Sequence, residues 1–171
     1  MTIRVLTVDD SRTMQAFLAI ILASDPEIEI VGTALNAFEA RVMIRDLNPD
    51  VVTLDIEMPG MNGLVFLEKI MRLRPMPVVI VSSMPVDNCS AAIRALELGA
   101  VDYYPKPSGD KPMRLEDADR TLVSIVKAAS KASCRNMLSP VPAEASAARI
   151  GSVSRLAKWQ PLAGKSLIAI G

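Results

Sequence analysis

The chain is 171 residues long and half apolar, with Lys+Arg and Asp+Glu equal at 19 each; that suffices for one well-buried domain with an appendage and offers no basic field to nucleic acid or anionic lipid. Its most apolar stretch, residues 17–23, is far shorter than the roughly 18 residues of a membrane-spanning helix, and no charged-apolar-small signal opens it, so a soluble cytoplasmic protein is expected. Cys89 and Cys134 lie far apart and there is no histidine, so neither a zinc site nor a disulfide framework is expected.

Residues 3–8 read as a first strand that ends in acid, at Asp9 and Asp10. Ser11 can then cap a helix whose apolar face carries Met14, Phe17, Leu18 and Ile21. Asp25-Pro26 breaks that helix, residues 28–31 form a second strand, and Asn36 with Glu39 three residues on resembles a capping box. The helix it opens turns Ala40, Met43, Ile44 and Leu47 inward, and Asn48-Pro49 stops it. Val51-Val52-Thr53-Leu54 is too short for a helix and is β-branched, so it reads as a strand buried on both faces. This third strand also ends in an acid, Asp55. Pro59, Gly60, Asn62 and Gly63 then turn the chain into a helix with Leu64, Leu67, Ile70 and Met71 at helical spacing. A fourth strand at residues 77–81 delivers Ser82 and Ser83 to its carboxyl end. Val86, Cys89, Ile93 and Leu96 line the next helix, with Gly99 as its C-cap. A fifth strand at residues 101–104 leads to Lys106-Pro107, and a last helix carries Leu115, Ala118, Leu122, Ile125 and Ala129.

Strands that alternate with helices in this way predict an α/β domain: a doubly wound five-stranded parallel sheet with right-handed crossovers and helices on both faces. The flavodoxin-like order 2-1-3-4-5 sets strands one and three side by side at the topological switch point where ligands bind. Asp9, Asp10 and Asp55 then converge, and Ser82 and Lys106 close the same edge. Residues 134–165 change to Ser, Ala and Pro without a sustained period, the composition of a linker. Trp159, the single tryptophan, is assigned no chemistry. The expected organisation is a domain at 1–130, a linker at 131–165 and, at 166–171, a buried strand that suggests a truncated second domain.

Three carboxylates gathered at one edge repel one another and invite a hard divalent cation, and oxygen ligands with space for water favour Mg2+ over zinc. Asp55 could then attack phosphorus as a carboxylate nucleophile, with Lys106 and the Ser82 hydroxyl binding the equatorial oxygens; the product is an aspartyl phosphate. Each residue alone has a plainer reading, with Asp9-Asp10 as a helix cap, Ser82 as a turn residue and Lys106 as a solvated charge. Their coincidence at the carboxyl ends of strands is what points to function. Tyr103 reads equally as a core aromatic and a switch residue, and the methionines as core filler.

Asp9-Asp10, the D-x-x-M-P-x-x-N-G run over residues 55–63, Ser82 and Lys106-Pro107 together resemble the receiver domains of two-component response regulators. The resemblance implies that Asp55 is the phosphoacceptor and a histidine kinase the donor. It implies further that Asp9, Asp10, Asp55 and the backbone carbonyl of Glu57 hold Mg2+, and that Ser82 and Tyr103 reorient on phosphorylation. Such rearrangement alters the face made by the fourth helix, fifth strand and fifth helix, through which a homodimer could form. A cis peptide between Lys106 and Pro107 is also implied. Leu54-Asp55-Ile56-Glu57-Met58-Pro59, Val81-Ser82-Ser83-Met84 and residues 94–102 resemble, more narrowly, the chemotaxis protein-glutamate methylesterase or CheB family. There a linker joins the receiver to a catalytic domain that demethylates chemoreceptor glutamates, and residues 167–171 resemble that domain's first strand. Without histidine a Ser-His-Asp hydrolase cannot be assembled here. The expectation is therefore a self-phosphorylating regulatory domain with no esterase activity of its own.

Pro105 departs from the receiver pattern, since it removes a backbone N–H directly before Lys106. On an edge strand the missing donor would face solvent; elsewhere it would put the reach of Lys106 toward Asp55 in question. Two other readings are an aspartate-nucleophile phosphatase, whose D-x-D pair would normally follow the first strand, and a degenerate receiver that only binds or dimerises. The intact set of acidic and switch positions disfavours the latter.

Overall fold

The structure, a computed structural model, describes residues 2–83, 90–106 and 115–132, with side chains in the last segment described from residue 121. The elements run β1 (Ile3–Val8), α1 (Arg12–Leu22), β2 (Ile28–Ala34), α2 (Ala37–Leu47), β3 (Val51–Leu54), α3 (Gly63–Leu73), β4 (Val78–Ser82), α4 (Ser90–Glu97), β5 (Asp102–Pro105) and α5 (Leu115–Ser130). The strands pair in parallel in the order β2-β1-β3-β4-β5. This is the expected doubly wound sheet.

Alternate residues of each inner strand feed two separate cores. Leu6, Val8, Val52, Leu54, Val78 and Ile80 face α2, α3 and α4. Val5, Val51, Val79 and Val81 face α1 and α5. Both faces of β3 are thus covered, which is why its four residues are all buried and all apolar or β-branched. Each fully buried Leu or Ile contributes about 1.5–3 kcal/mol to holding the layers together.

The helix ends follow local chemistry. Ser11 accepts a hydrogen bond from the Met14 N–H at 3.3 Å, and Asn36 one from the Glu39 N–H at 2.9 Å. The Glu39 carboxylate reaches back to the Leu35 N–H rather than to that of Asn36, a capping box displaced by one residue. Gly99 has φ 109°, as its place after α4 requires.

Several strand boundaries and the faces of α4 and α5 differ from expectation. β2 continues to Ala34 because a bulge at Val31 lets Gly32, Thr33 and Ala34 resume pairing with Leu6, Thr7 and Val8. β4 and β5 each begin and end one residue later than expected; Val101 bonds to Val78 O but precedes the ladder. In α4 the buried residues are Ala92 and Ala95, with Ile93 and Leu96 half-buried; small residues let that helix lie close, and Val86 and Cys89 fall outside the described residues. In α5, Leu122 and Ala129 are buried as expected, together with Val126, while Ile125 is half-buried and the Leu115 and Ala118 side chains lie outside the description. Also outside it are Pro107 with its expected cis bond, Cys134, Trp159, most of the expected linker and the strand at 166–171. No helix among the described residues is long and apolar enough to cross a membrane.

Candidate functional site

Parallel pairing of β1 with β3 sets Val8 opposite Leu54, so the acid that follows each strand emerges at one edge. The Asp55 N–H extends the ladder by donating to Val8 O at 2.9 Å. Asp9 and Asp55 are 1% and 2% exposed, whereas Asp10 is exposed. One oxygen from each of Asp9, Asp10 and Asp55 lies within 4.8 Å of the others.

The two buried acids are held alike. Asp9 Oδ1 accepts the Ser11 N–H at 2.9 Å, and Asp55 Oδ1 accepts the Glu57 N–H at 3.0 Å. Their Oδ2 atoms face one ammonium, with Lys106 Nζ 2.6 Å from Asp55 and 2.7 Å from Asp9. The contact with Asp55 is a hydrogen bond; that with Asp9 lacks hydrogen-bond geometry, so Asp9 Oδ2 is a buried oxygen with nearby charge but no directed donor.

Two buried carboxylates against one ammonium leave an excess of negative charge. Burial raises the Asp55 pKa above the usual 3.8; Lys106 and the Glu57 N–H lower it without cancelling the rise, and Asp9 adds to the rise. Burial acts to lower the Lys106 pKa, but Asp55 and Asp9 outweigh it and the value lies above 10.5. The Asp55 rise is thus a burial effect that one lysine does not offset, whereas the Lys106 rise comes from its two acidic neighbours against the effect of burial. A buried, hard-oxygen set with an undirected carboxylate oxygen and surplus negative charge fits Mg2+.

Lys106 reaches the site in spite of Pro105. β5 is an edge strand: within it the Tyr103 N–H donates to the Asp102 carboxylate at 2.8 Å rather than to β4, and Lys106 N bonds to Ser82 O at 2.8 Å, so the Pro105 nitrogen between them falls on the open side. Ser82 is fully buried at the end of β4. Tyr103 is 3% exposed, and its hydroxyl is 3.5 Å from Ser82 O. The exposed Glu57 carboxylate accepts a hydrogen bond from the Ser83 hydroxyl.

The loop after Asp55 is held by Gly63, whose N–H donates to Ile56 O at 2.9 Å, and by Asn62, which caps α3 through the Leu64 N–H at 2.8 Å. A groove of about 630 Å³ opens beside this loop, lined by Met58, Met61, Leu64 and Ala91 among others; it flanks the acids and does not contain them. Gln15 Nε2 donates to Asp9 O at 2.9 Å and to Ala34 O at 3.1 Å, contacts that no motif in the sequence marks. A glutamine on a helix carries no local sign of such long-range partners. The Glu57–Ser83 pair was equally invisible, because it joins the ends of two strands 26 residues apart.

The family model for the response regulator receiver domain matches residues 5–117. The chain is 54% identical over 143 residues to protein-glutamate methylesterase/protein-glutamine glutaminase 1 of Caulobacter vibrioides, covering 84% of this chain and 41% of that protein. It is 48% identical over 169 residues to the corresponding protein of Agrobacterium fabrum, covering 98% and 45%. The chain thus spans less than half the length of these two curated relatives. Among solved structures, the response regulator domain of Thermotoga maritima CheB matches with TM-score 0.71 and 38% identity, over 78% of this chain and 99% of that one. The CheX-CheY-BeF3-Mg complex from Borrelia burgdorferi matches with TM-score 0.60 and 28% identity, over 72% and 88%. Given the sheet order, the acids at the ends of β1 and β3 and these matches, the chain belongs to the response regulator receiver domain family and carries a receiver of the CheB type.

Proposed function

We propose that Asp55 accepts a phosphoryl group from a chemotaxis histidine kinase in the presence of Mg2+, and that this event controls a protein-glutamate methylesterase domain of the full-length protein. The observation that carries this reading is Lys106 bridging the buried Asp55 and Asp9 with Asp10 alongside. A carboxylate oxygen of Asp55 forms a bond to phosphorus as the donor's nitrogen–phosphorus bond breaks, and the imidazole leaves with the electron pair. Lys106 and the Ser82 hydroxyl hold the transferred oxygens, and Asp9, Asp10, Asp55 and the Glu57 carbonyl are the cation's ligands. When bound, Mg2+ neutralises charge on the phosphoryl oxygens. The BeF3 and Mg named for the Borrelia complex support this assignment.

Phosphorylation converts the Asp55 carboxylate to an acyl phosphate, so that Lys106 exchanges its contact with Asp55 Oδ2 for one with the phosphoryl oxygens; Ser82 turns toward the new group and Tyr103 follows it. The output face is α4, β5 and α5, which is also where a homodimer would form. On this reading residues 131–165 are a linker, residues 166–171 begin the catalytic domain, and methylated chemoreceptors are reached only through that domain. The methylesterase names of the longer relatives support this. The chain itself has no esterase activity, and its location is cytoplasmic. Incubation with acetyl phosphate and Mg2+, followed by intact-mass measurement, should give one phosphoryl adduct that is absent without Mg2+ and in Asp55→Asn. An adduct that survives Asp55→Asn overturns the proposal.

A further inference from the structure

Gln15 is half-buried on α1, on the flank of its apolar face and seven residues before the buried Leu22. Its carboxamide uses both hydrogens, one on Asp9 O at 2.9 Å and one on Ala34 O at 3.1 Å. Both acceptors are backbone carbonyls, so the side chain can sit only with its NH2 group toward them. Ala34 O also takes the Asp9 N–H at 3.0 Å. The backbone of Asp9 is therefore held on both sides, its N–H by Ala34 and its carbonyl by Gln15.

That carbonyl belongs to the peptide plane joining Asp9 to Asp10. Holding it sets ψ of Asp9 and hence the direction in which Asp10 leaves the strand. Asp10 needs such a constraint. Its carboxylate is exposed and has no hydrogen bond or ion pair among the described residues, yet one of its oxygens lies within 4.8 Å of those of Asp9 and Asp55. Repulsion between the three acids would otherwise swing it into solvent.

We propose that Gln15 is a positioning residue for the cation site: by pinning the Asp9–Asp10 peptide it keeps the Asp10 carboxylate beside Asp9 and Asp55 and so sets the affinity for a divalent cation. The inference rests on the Mg2+-dependent reading above. It is tested on the full chain by titrating MgCl2 against the wild type, Gln15→Met, which keeps the length but has no donor, and Gln15→Asn, too short to reach both carbonyls. Binding is followed by backbone amide resonances, and thermal midpoints verify folding. Loss of the clamp should raise the Mg2+ Kd about tenfold in both variants. The Mg2+ concentration that half-saturates acetyl phosphate uptake should rise in parallel, while the rate at saturating Mg2+ stays within about twofold of wild type. A lower thermal midpoint with unchanged Mg2+ affinity makes Gln15 a structural tether and overturns the proposal. Failure of the wild type to bind Mg2+ overturns the functional reading first and this inference with it.

Discussion

Lys106 pairs with two acids that its own chain segment gives no hint of. Its side chain is 9% exposed and lies against carboxylates 1% and 2% exposed, so removing it strands buried charge rather than a surface pair. Lys106→Ala should therefore lose about 3 kcal/mol of stability at neutral pH without Mg2+. The pH dependence has a definite sign. Asp55 has a folded-state pKa raised above 3.8, so it binds its proton more tightly folded than unfolded. Its contribution is fully present below about 3.8 and is lost as pH rises through the folded value. The defect of Lys106→Ala should accordingly shrink in acid as Asp55 protonates, and added Mg2+ should restore much of it at neutral pH by binding only the folded state. Urea melts at acidic and neutral pH, with and without Mg2+, check this; an identical loss under all conditions would refute the charge argument. Phosphoryl uptake should stay impaired even where stability recovers.

At the level of elements, the junction of β3 with α3 is the tightest point of the site. A Cβ on Gly63 would come within 2.7 Å of Ile56 Cα and closer still to Asp55 O, and neither backbone atom can give way without moving Asp55. Gly60 in the same loop differs: φ is 85° and nothing lies within 4 Å of an added Cβ. Gly60→Ala should cost about 1–2 kcal/mol through backbone strain alone. Gly63→Ala should cost at least about 3 kcal/mol and should also slow phosphoryl uptake. Chemical denaturation and acetyl phosphate kinetics on both variants check the ranking; equal effects would mean that contact with Asp55 is unimportant. Turn chemistry marked both glycines in the sequence, but only the packing separates one that needs its φ from one that needs its missing side chain. The bulge in β2 and the alanine face of α4 were illegible for a related reason. Gly32 interrupts the strand pattern, and Ala92 and Ala95 are too small to mark a core face, so partners on other elements decide their place.

At the scale of the whole molecule, one sheet separates two cores, and Lys127 on α5 pairs with Asp25 after α1 at 2.9 Å, tying the last helix to the first. The N–H groups of Lys131 and Ala132 close α5 on Ala128 and Ala129. A chain ended at residue 132 should therefore unfold in a single transition near the midpoint of the full chain and take up phosphoryl groups at the same rate, as calorimetry and intact mass can check. A broad transition or lost uptake would mean that later residues complete the domain. Strand identity, helix identity and sheet order could be read from the sequence because β-branched runs, helical spacing and turn residues are local, and because right-handed crossovers leave few orders for alternating strands and helices. The residue types at the strand ends were legible for the same reason. What only the tertiary structure decided is how those residues meet. The sharing of Lys106 between Asp9 and Asp55, the outward turn of Pro105 and the grip of Gln15 on the Asp9 carbonyl all depend on strand register and edge position. These are properties of how segments far apart in the chain pack together, and no local pattern encodes them.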